Sequence, residues 1–241
     1  MSYTFTLSDR SSVLTAQIYP PIILKENQDY VLGLVNFESF NSIPNVDSTN
    51  NKFHFNKNEV ITIPEGSYEI TDINNYLVEQ VANVLKEKPG TDNEKPFLSI
   101  KANYNTLKCE IKSNLDIDFS KNHSIASLLG FKKKKLIKNK KHIPDNPIDI
   151  FKVNTICVKC NLVTNSFNNG NSVHIIHMFY PSSVPGTKII ERPSNVIYLP
   201  INTRYIDTIT LKITDQNGNI INFRQEVITV RLHLQRTSLN N

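Results

Sequence analysis

Apolar and polar side chains alternate at both ends of this chain. At the start, Tyr3, Phe5 and Leu7 alternate with Thr4 and Thr6. Near the end, Ile209, Leu211 and Ile213 share one parity. Beyond them Ile228, Val230, Leu232 and Leu234 alternate with Thr229, Arg231, His233 and Gln235. A period of two puts one set in a core and the other in water or against a partner. The stretch TITLKITDQNGNIINFRQEVITVRLHLQ therefore reads as two strands of a hairpin, with Asn217-Gly218 as a type I′ turn.

The same patterning divides the chain into four regions. Residues 1–57 read as strands (YTFTL, VLTAQIYPPIIL, YVLGLVNFESFNSI, KFHF), with Pro20-Pro21 marking an edge or a corner. Residues 58–131 switch period. Ile73, Leu77, Val81, Val84 and Leu85 fall on one helical face, with Thr71 or Asp72 as N-cap, Lys86 and Lys88 at the C-terminal end and Pro89-Gly90 as the stop. FLSIKANYNTLKCEIKS reads as a hairpin turning at 103–106, and SIASLLGF as a short helix closed by Gly130. Residues 132–147 form a basic, proline-terminated loop or linker, and residues 148–241 return to strands. About ten to twelve strands and one helix predict an all-β sandwich, built from 1–57 and 148–241, carrying a small inserted α+β unit.

Composition narrows this little. The chain has 241 residues, 39% of them hydrophobic, with a net charge of +5 and only 7 glycines. It begins with no apolar leader segment and contains no apolar run of about 18 residues, so a soluble, cytosolically made protein without membrane contact is expected. Three cysteines are too few for a disulfide framework.

Candidate chemistry is sparse. Cys157-x-x-Cys160 followed by His174-x-x-His177 approaches a two-Cys, two-His zinc pattern. Against it, both pairs lie on strand-like sequence, where residues three apart point to opposite faces. The expected arrangement is Cys160 in the core and Cys157 as a free thiol, with no metal or other cofactor. Lys132, Lys133, Lys134, Lys135, Lys138, Lys140 and Lys141 form a basic run. Three readings stay open for it: a nuclear import signal, a phosphate-contacting patch, and a solvated loop. Asp116 and Asp118 share a strand face, and Asp145 and Asp149 form a second pair; no third ligand or acid/base partner is marked near either. Nucleophile-elbow, phosphate-loop, dinucleotide and metalloprotease signatures are all missing from the sequence, which points away from an enzyme.

Several stretches together resemble a known family. They are NSIPNV, ITIPEGSYEITDINNYL, SIASLLGF, PSSVPGTKIIERPSNVIYLPINTRYIDTITLKITDQNGNIINF and ITVRLHL, in that order over nearly the whole chain. They are similar to the penton, or minor capsid, protein of Maverick/Polinton-type virus-like transposons and adintoviruses. The resemblance implies a single jelly roll of two antiparallel sheets and assembly as a homopentamer at the five-fold vertices of a virion. It also implies a double jelly-roll major capsid protein as partner and passage through host cytoplasm and nucleus during assembly. The Lys run would then meet packaged DNA or a nuclear import receptor. Arg204, Tyr205, Arg231 and His233 are the residues expected at the subunit interface. Alternatives are a receptor- or glycan-binding knob, another minor capsid protein, or a trimeric capsomer of the major-capsid kind.

Overall fold

The structure, a computed structural model, describes residues 2–86, 95–150 and 152–237. The strands are β1 (Ser2–Asp9), β2 (Val13–Ile23), β3 (Tyr30–Phe40), β4 (Lys52–Phe55) and β5 (Glu59–Thr62), followed by helix α1 (Ile70–Lys86). Then come β6 (Leu98–Asn103), β7 (Lys108–Ser113), β8 (Ile117–Asp118), β9 (Lys135–Leu136) and β10 (Lys140–His142). The chain finishes with β11 (Ile156–Cys160), β12 (Ser166–Asn168), β13 (Asn171–Val173), β14 (Ile175–Phe179), β15 (Lys188–Glu191), β16 (Leu199–Pro200), β17 (Tyr205–Thr214) and β18 (Ile228–Arg236). These elements make two compact units: Met1–Ile43 with Val153–Asn241, and Pro44–Lys152.

In the first unit one sheet has the order β1-β18-β3-β15, with β16 also on β3, and the other β14-β11-β17-β2. The sandwich strands alternate between sheets along the chain, except that β11 and β14 are antiparallel neighbours in one sheet and β15 and the short β16 both pair with β3 in the other. This is the connectivity of a single jelly roll. Ile209, Leu211 and Ile213 from one sheet meet Ile228, Val230, Leu232 and Leu234 from the other in a single buried core with Phe37, Phe179 and Phe223. Thus β17 and β18 are not the two arms of a hairpin. β17 pairs with β2 and β11, while β18 pairs with β1 and β3.

The Asn-Gly turn is real but local. Asp215 N–H donates to the Asn219 carbonyl (2.8 Å), and Gly218 N–H to the Asp215 carbonyl (3.1 Å). Asn217 keeps a negative φ while Gly218 takes +87°, so the turn is of the glycine-bulge kind rather than type I′. After the bridge between Thr214 and Ile220 the chain crosses to the other sheet. Pro20-Pro21 lies on β2 at a sheet edge, where Ile22 pairs with Ile206 but Gln17 with Thr208. The residues between Gln17 and Ile22 bulge there, so the prolines remove no central ladder bond.

The second unit, inserted between β3 and β11, joins the sheets β5-β4-β8-β9 and β10-β7-β6 to α1. Its core gathers Phe53, Phe55, Phe119 and Phe131 with Ile73, Leu77 and Val81 of the helix. The unit starts earlier and ends later than the sequence pattern suggests. KFHF is β4, paired with β5 and β8, so it belongs here and not to the sandwich. The helix begins at Ile70, two residues before Asp72. Its N-cap is Glu69, whose N–H donates to the Asp72 carboxylate (3.0 Å), the returning half of a capping box made from inside the first turn. The expected stop at Pro89-Gly90, and Lys88, lie outside the described residues. SIASLLGF makes a single turn rather than a helix. Phe131 N–H donates to Ala126 (2.8 Å) and Gly130 N–H to Ser127 (3.0 Å), with Gly130 at φ +80°, which is a Schellman closure. The hairpin of β6 and β7 turns where expected, between Asn103 and Lys108.

Candidate functional site

The sandwich offers surfaces. On β18, inward Val230, Leu232 and Leu234 force Arg231 and His233 onto the outer face of their sheet. Arg231 is exposed there, opposite Thr6 and Asn36. His233 is not bare. Tyr198 crosses over it, sharing a 2.8 Å hydrogen bond between its hydroxyl and His233 Nδ1 and an edge-on ring contact. Gly33, the register partner of His233, makes this crossing possible, since a Cβ there would lie 2.4 Å from Val196 and 3.1 Å from Tyr198. Nearby, Glu38 is held below the ordinary carboxylate range by Lys188, which donates to it over 2.6 Å, and by Asn36.

Tyr205 opens β17, in the other sheet, and Arg204 immediately precedes it. Arg204 donates to the Gln28 carbonyl, sits 3.5 Å from the Asp29 carboxylate and stacks 5.9 Å over Tyr30. These contacts tie Arg204 to the entry of β3. Tyr205 pairs with Ile23 of edge strand β2. Tyr19 (95% exposed), Ile23 (75%) and Tyr205 (53%) leave this edge apolar and open, a feature that periodicity alone did not mark.

The zinc quartet does not assemble. Val158 and Cys160 point into the core, and Cys157 to the other face of β11. Burial pushes the Cys160 thiol up to about 11 and raises Cys157 as well. His174 Nδ1 is engaged with the Val163 carbonyl (2.7 Å) and His177 Nε2 with Glu191 (2.9 Å). Among the described residues, no three His, Cys, Asp or Glu side chains group closely enough to share a metal ion.

The Lys run is not a linker. Its one apolar inward residue, Leu136, is buried in the second unit's core, and Lys135–Leu136 pairs with β8 while Lys140–His142 pairs with β7. The aspartates read from the sequence hold it down. Asp116 accepts the Lys138 N–H (2.8 Å), and Asp118, lowered by the Ser120 hydroxyl, lies 3.6 Å from Lys135. Lys134 covers the Phe131 ring at 5.2 Å, and Lys141 pairs with Glu110 at 2.8 Å. Lys132, Lys133, Lys138 and Lys140 project without a carboxylate partner among the described residues. Asp145 and Asp149 are exposed.

A shallow concavity is lined by Arg10, Ser12, Ile221, Phe223 and Gln225. Its polar groups are already used: Arg10 donates to the Gln225 carbonyl (3.2 Å) and Ser12 to that of Ile221. No helix among the described residues is long and apolar enough to cross a membrane.

No protein-family model and no curated protein matches this chain. Among solved structures, the crystal structure of the mavirus penton protein is similar, with a TM-score of 0.53 at 12% identity, covering 98% of this chain and 100% of that one. At that identity the likeness establishes a shared fold.

Proposed function

We propose that the chain is a non-enzymatic viral capsid protein, a penton that assembles as a homopentamer at five-fold vertices, beside a double jelly-roll major capsid protein. The observation that carries this reading is the full-length likeness to the mavirus penton protein, which spans the sandwich and the insertion alike. The quoted resemblance to penton proteins of Polinton-type elements and adintoviruses supports it from the sequence side. The protein would then reside in the virion, passing through host cytoplasm and nucleus during assembly. The Lys run would meet packaged DNA or an import receptor.

A closed ring needs two different patches, one meeting the other on the neighbouring copy. The open β2 edge with Tyr19, Ile23 and Tyr205 is one candidate. The outer face of the opposite sheet around Arg231 is the other. The test is the solution mass of the purified chain by light scattering, followed by negative-stain imaging of the main peak. A mass of five chains with five-fold rings is expected, and Tyr205→Glu combined with Ile23→Glu should shift it toward monomer. Three-fold rings would overturn the reading in favour of a trimeric capsomer. A monomer that stays single when mixed with the major capsid protein would overturn it in favour of a binding knob.

A further inference from the structure

Charge in the inserted unit is segregated. Residues 44–94 carry four lysines and nine carboxylates, whereas residues 95–141 carry twelve lysines and three carboxylates, Glu110, Asp116 and Asp118. The basic half includes the sheet β10-β7-β6. Leu98, Ile100, Cys109 and Ile111 bury one face of that sheet in the unit's core. Alternation then puts Ser99, Lys101, Asn103, Lys108, Glu110, Lys112 and Lys141 on the other face.

The register sharpens the arrangement. Lys141 stands directly opposite Lys112, which stands opposite Ser99, and Lys101 stands opposite Glu110. Lys101, Lys112 and Lys141 are exposed. Glu110, the one acid of this face, is bound by Lys141 (2.8 Å) and Asn103 (3.2 Å), which hold it ionised. Glu110 is the one carboxylate on this face against Lys101, Lys108, Lys112 and Lys141, so the face keeps a net positive charge and its facing lysines repel. A polyanion laid over the face would remove the repulsion. Two rings flank the lysines. Tyr104, at the hairpin tip, is 83% exposed, and Phe97, which shares parity with Ser99 and Lys101, is 51% exposed. A cationic strip with exposed aromatic rings along it is the composition of a surface that stacks unpaired bases while tracking their phosphates.

We propose that the open face of the β10-β7-β6 sheet binds single-stranded nucleic acid, with phosphates on Lys101, Lys108 and Lys112 and bases against Phe97 and Tyr104. The Lys run, at the border of this face, adds long-range attraction. The inference does not depend on five-fold assembly.

The test uses the full chain and a fluorescently labelled single strand of about 20 nucleotides, titrated by anisotropy across a salt series. Binding should weaken steeply with salt. Lys101→Gln with Lys112→Gln should lower the log–log salt slope by about 1.4, and Tyr104→Ala should weaken binding about five- to one-hundred-fold. A duplex of the same sequence should bind more weakly and ignore Tyr104→Ala. All substituted side chains are exposed, and matching thermal unfolding of the variants checks that the fold is intact. Failure to bind at low salt would overturn the proposal. So would unchanged affinity and slope in the Lys101/Lys112 variant, or loss of binding in Lys132→Gln with Lys133→Gln alone. Equal or tighter binding to heparin, with the same residue dependence and no effect of Tyr104→Ala, would reassign the face to sulfated polysaccharide. The solution mass of the same variants reports separately on ring formation.

Discussion

Lys152 donates a 2.8 Å hydrogen bond to Asp47, a residue 105 positions earlier in the chain. The pair ties the last residue of the inserted unit to its first turn. Asn45 adds a second tie at the same place, donating to the carbonyls of Ile150 (3.1 Å) and Tyr68 (2.7 Å). Burial alone would raise the Asp47 carboxyl, but hydrogen bonds from Lys152 and Thr49 outweigh it and bring it down to about 2.

This depressed value gives a pH prediction. A carboxylate with a lowered folded value stabilises the protein above its ordinary titration near 3.8, and that contribution is lost as pH falls through about 2. At pH 7 Asp47→Asn should lower the stability of the inserted unit by about 1–2 kcal/mol, a figure reduced by the pair's partial exposure. Urea unfolding followed from pH 5 to pH 2 should show the difference between parent and variant shrinking across that window. An undiminished difference at pH 2 would mean that the ion pair is not its source.

Gly130 should tolerate no side chain. A Cβ there would sit 2.4 Å from the Asn146 carbonyl oxygen and 2.6 Å from that of Pro147, at φ +80°. Gly130→Ala should therefore cost about 2–4 kcal/mol, combining backbone strain with displaced backbone. Gly186 has φ +79° and nothing within 4 Å of its Cβ position, so Gly186→Ala should cost only about 1 kcal/mol. Thermal melts of the two variants, compared side by side, separate the clash from the strain.

Leu232 is fully buried where the two sheets of the sandwich face each other. Leu232→Ala should destabilise by about 2–5 kcal/mol. Arg231→Ala, one residue away on the solvent face, should change monomer stability by no more than about 0.5 kcal/mol. Chemical denaturation of both measures the contrast. Equal losses would mean that β18 does not present its alternate residues to core and solvent as described.

The three cysteines, Cys109, Cys157 and Cys160, are buried and free, with Cys109 pushed by burial up to about 12. Thiol reagents should label the native protein at pH 8 only as fast as it opens, and label all three sites in denaturant. Equimolar zinc should leave the melting temperature unchanged, because the Cys157/Cys160 and His174/His177 side chains do not converge.

Alternation along β1, β17 and β18 made the sandwich legible, and which residues face the core followed from parity alone. The partner of each strand was not legible. Ile213 and Ile228 would show the same period whether their strands lay side by side in one sheet or faced each other across the core. Only the long-range pairing of β18 with β1 and β3 decides it. Short strands were hidden for a related reason. Lys135–Leu136 offers a single apolar residue, too little for a period, so a segment fixed at Leu136 read as a basic loop. Pro20-Pro21 marked the β2 edge, but its exposed apolar side chains were missed because Tyr19 and Ile23 belong to a run that looks apolar enough to be buried. The clasp between Asp47 and Lys152 joins positions too far apart for any local pattern to register.

That clasp has a consequence for inheritance. The inserted segment closes on itself, so two cut points, at 43/44 and 152/153, release it as a block without touching the strands of the two sandwich sheets. Lengthening or shortening a connection changes its closure cost only slowly, by about 0.6 kcal/mol per doubling. A lineage can therefore exchange this cassette, or an engineer can swap in a foreign domain whose ends also meet, while the jelly roll keeps its core.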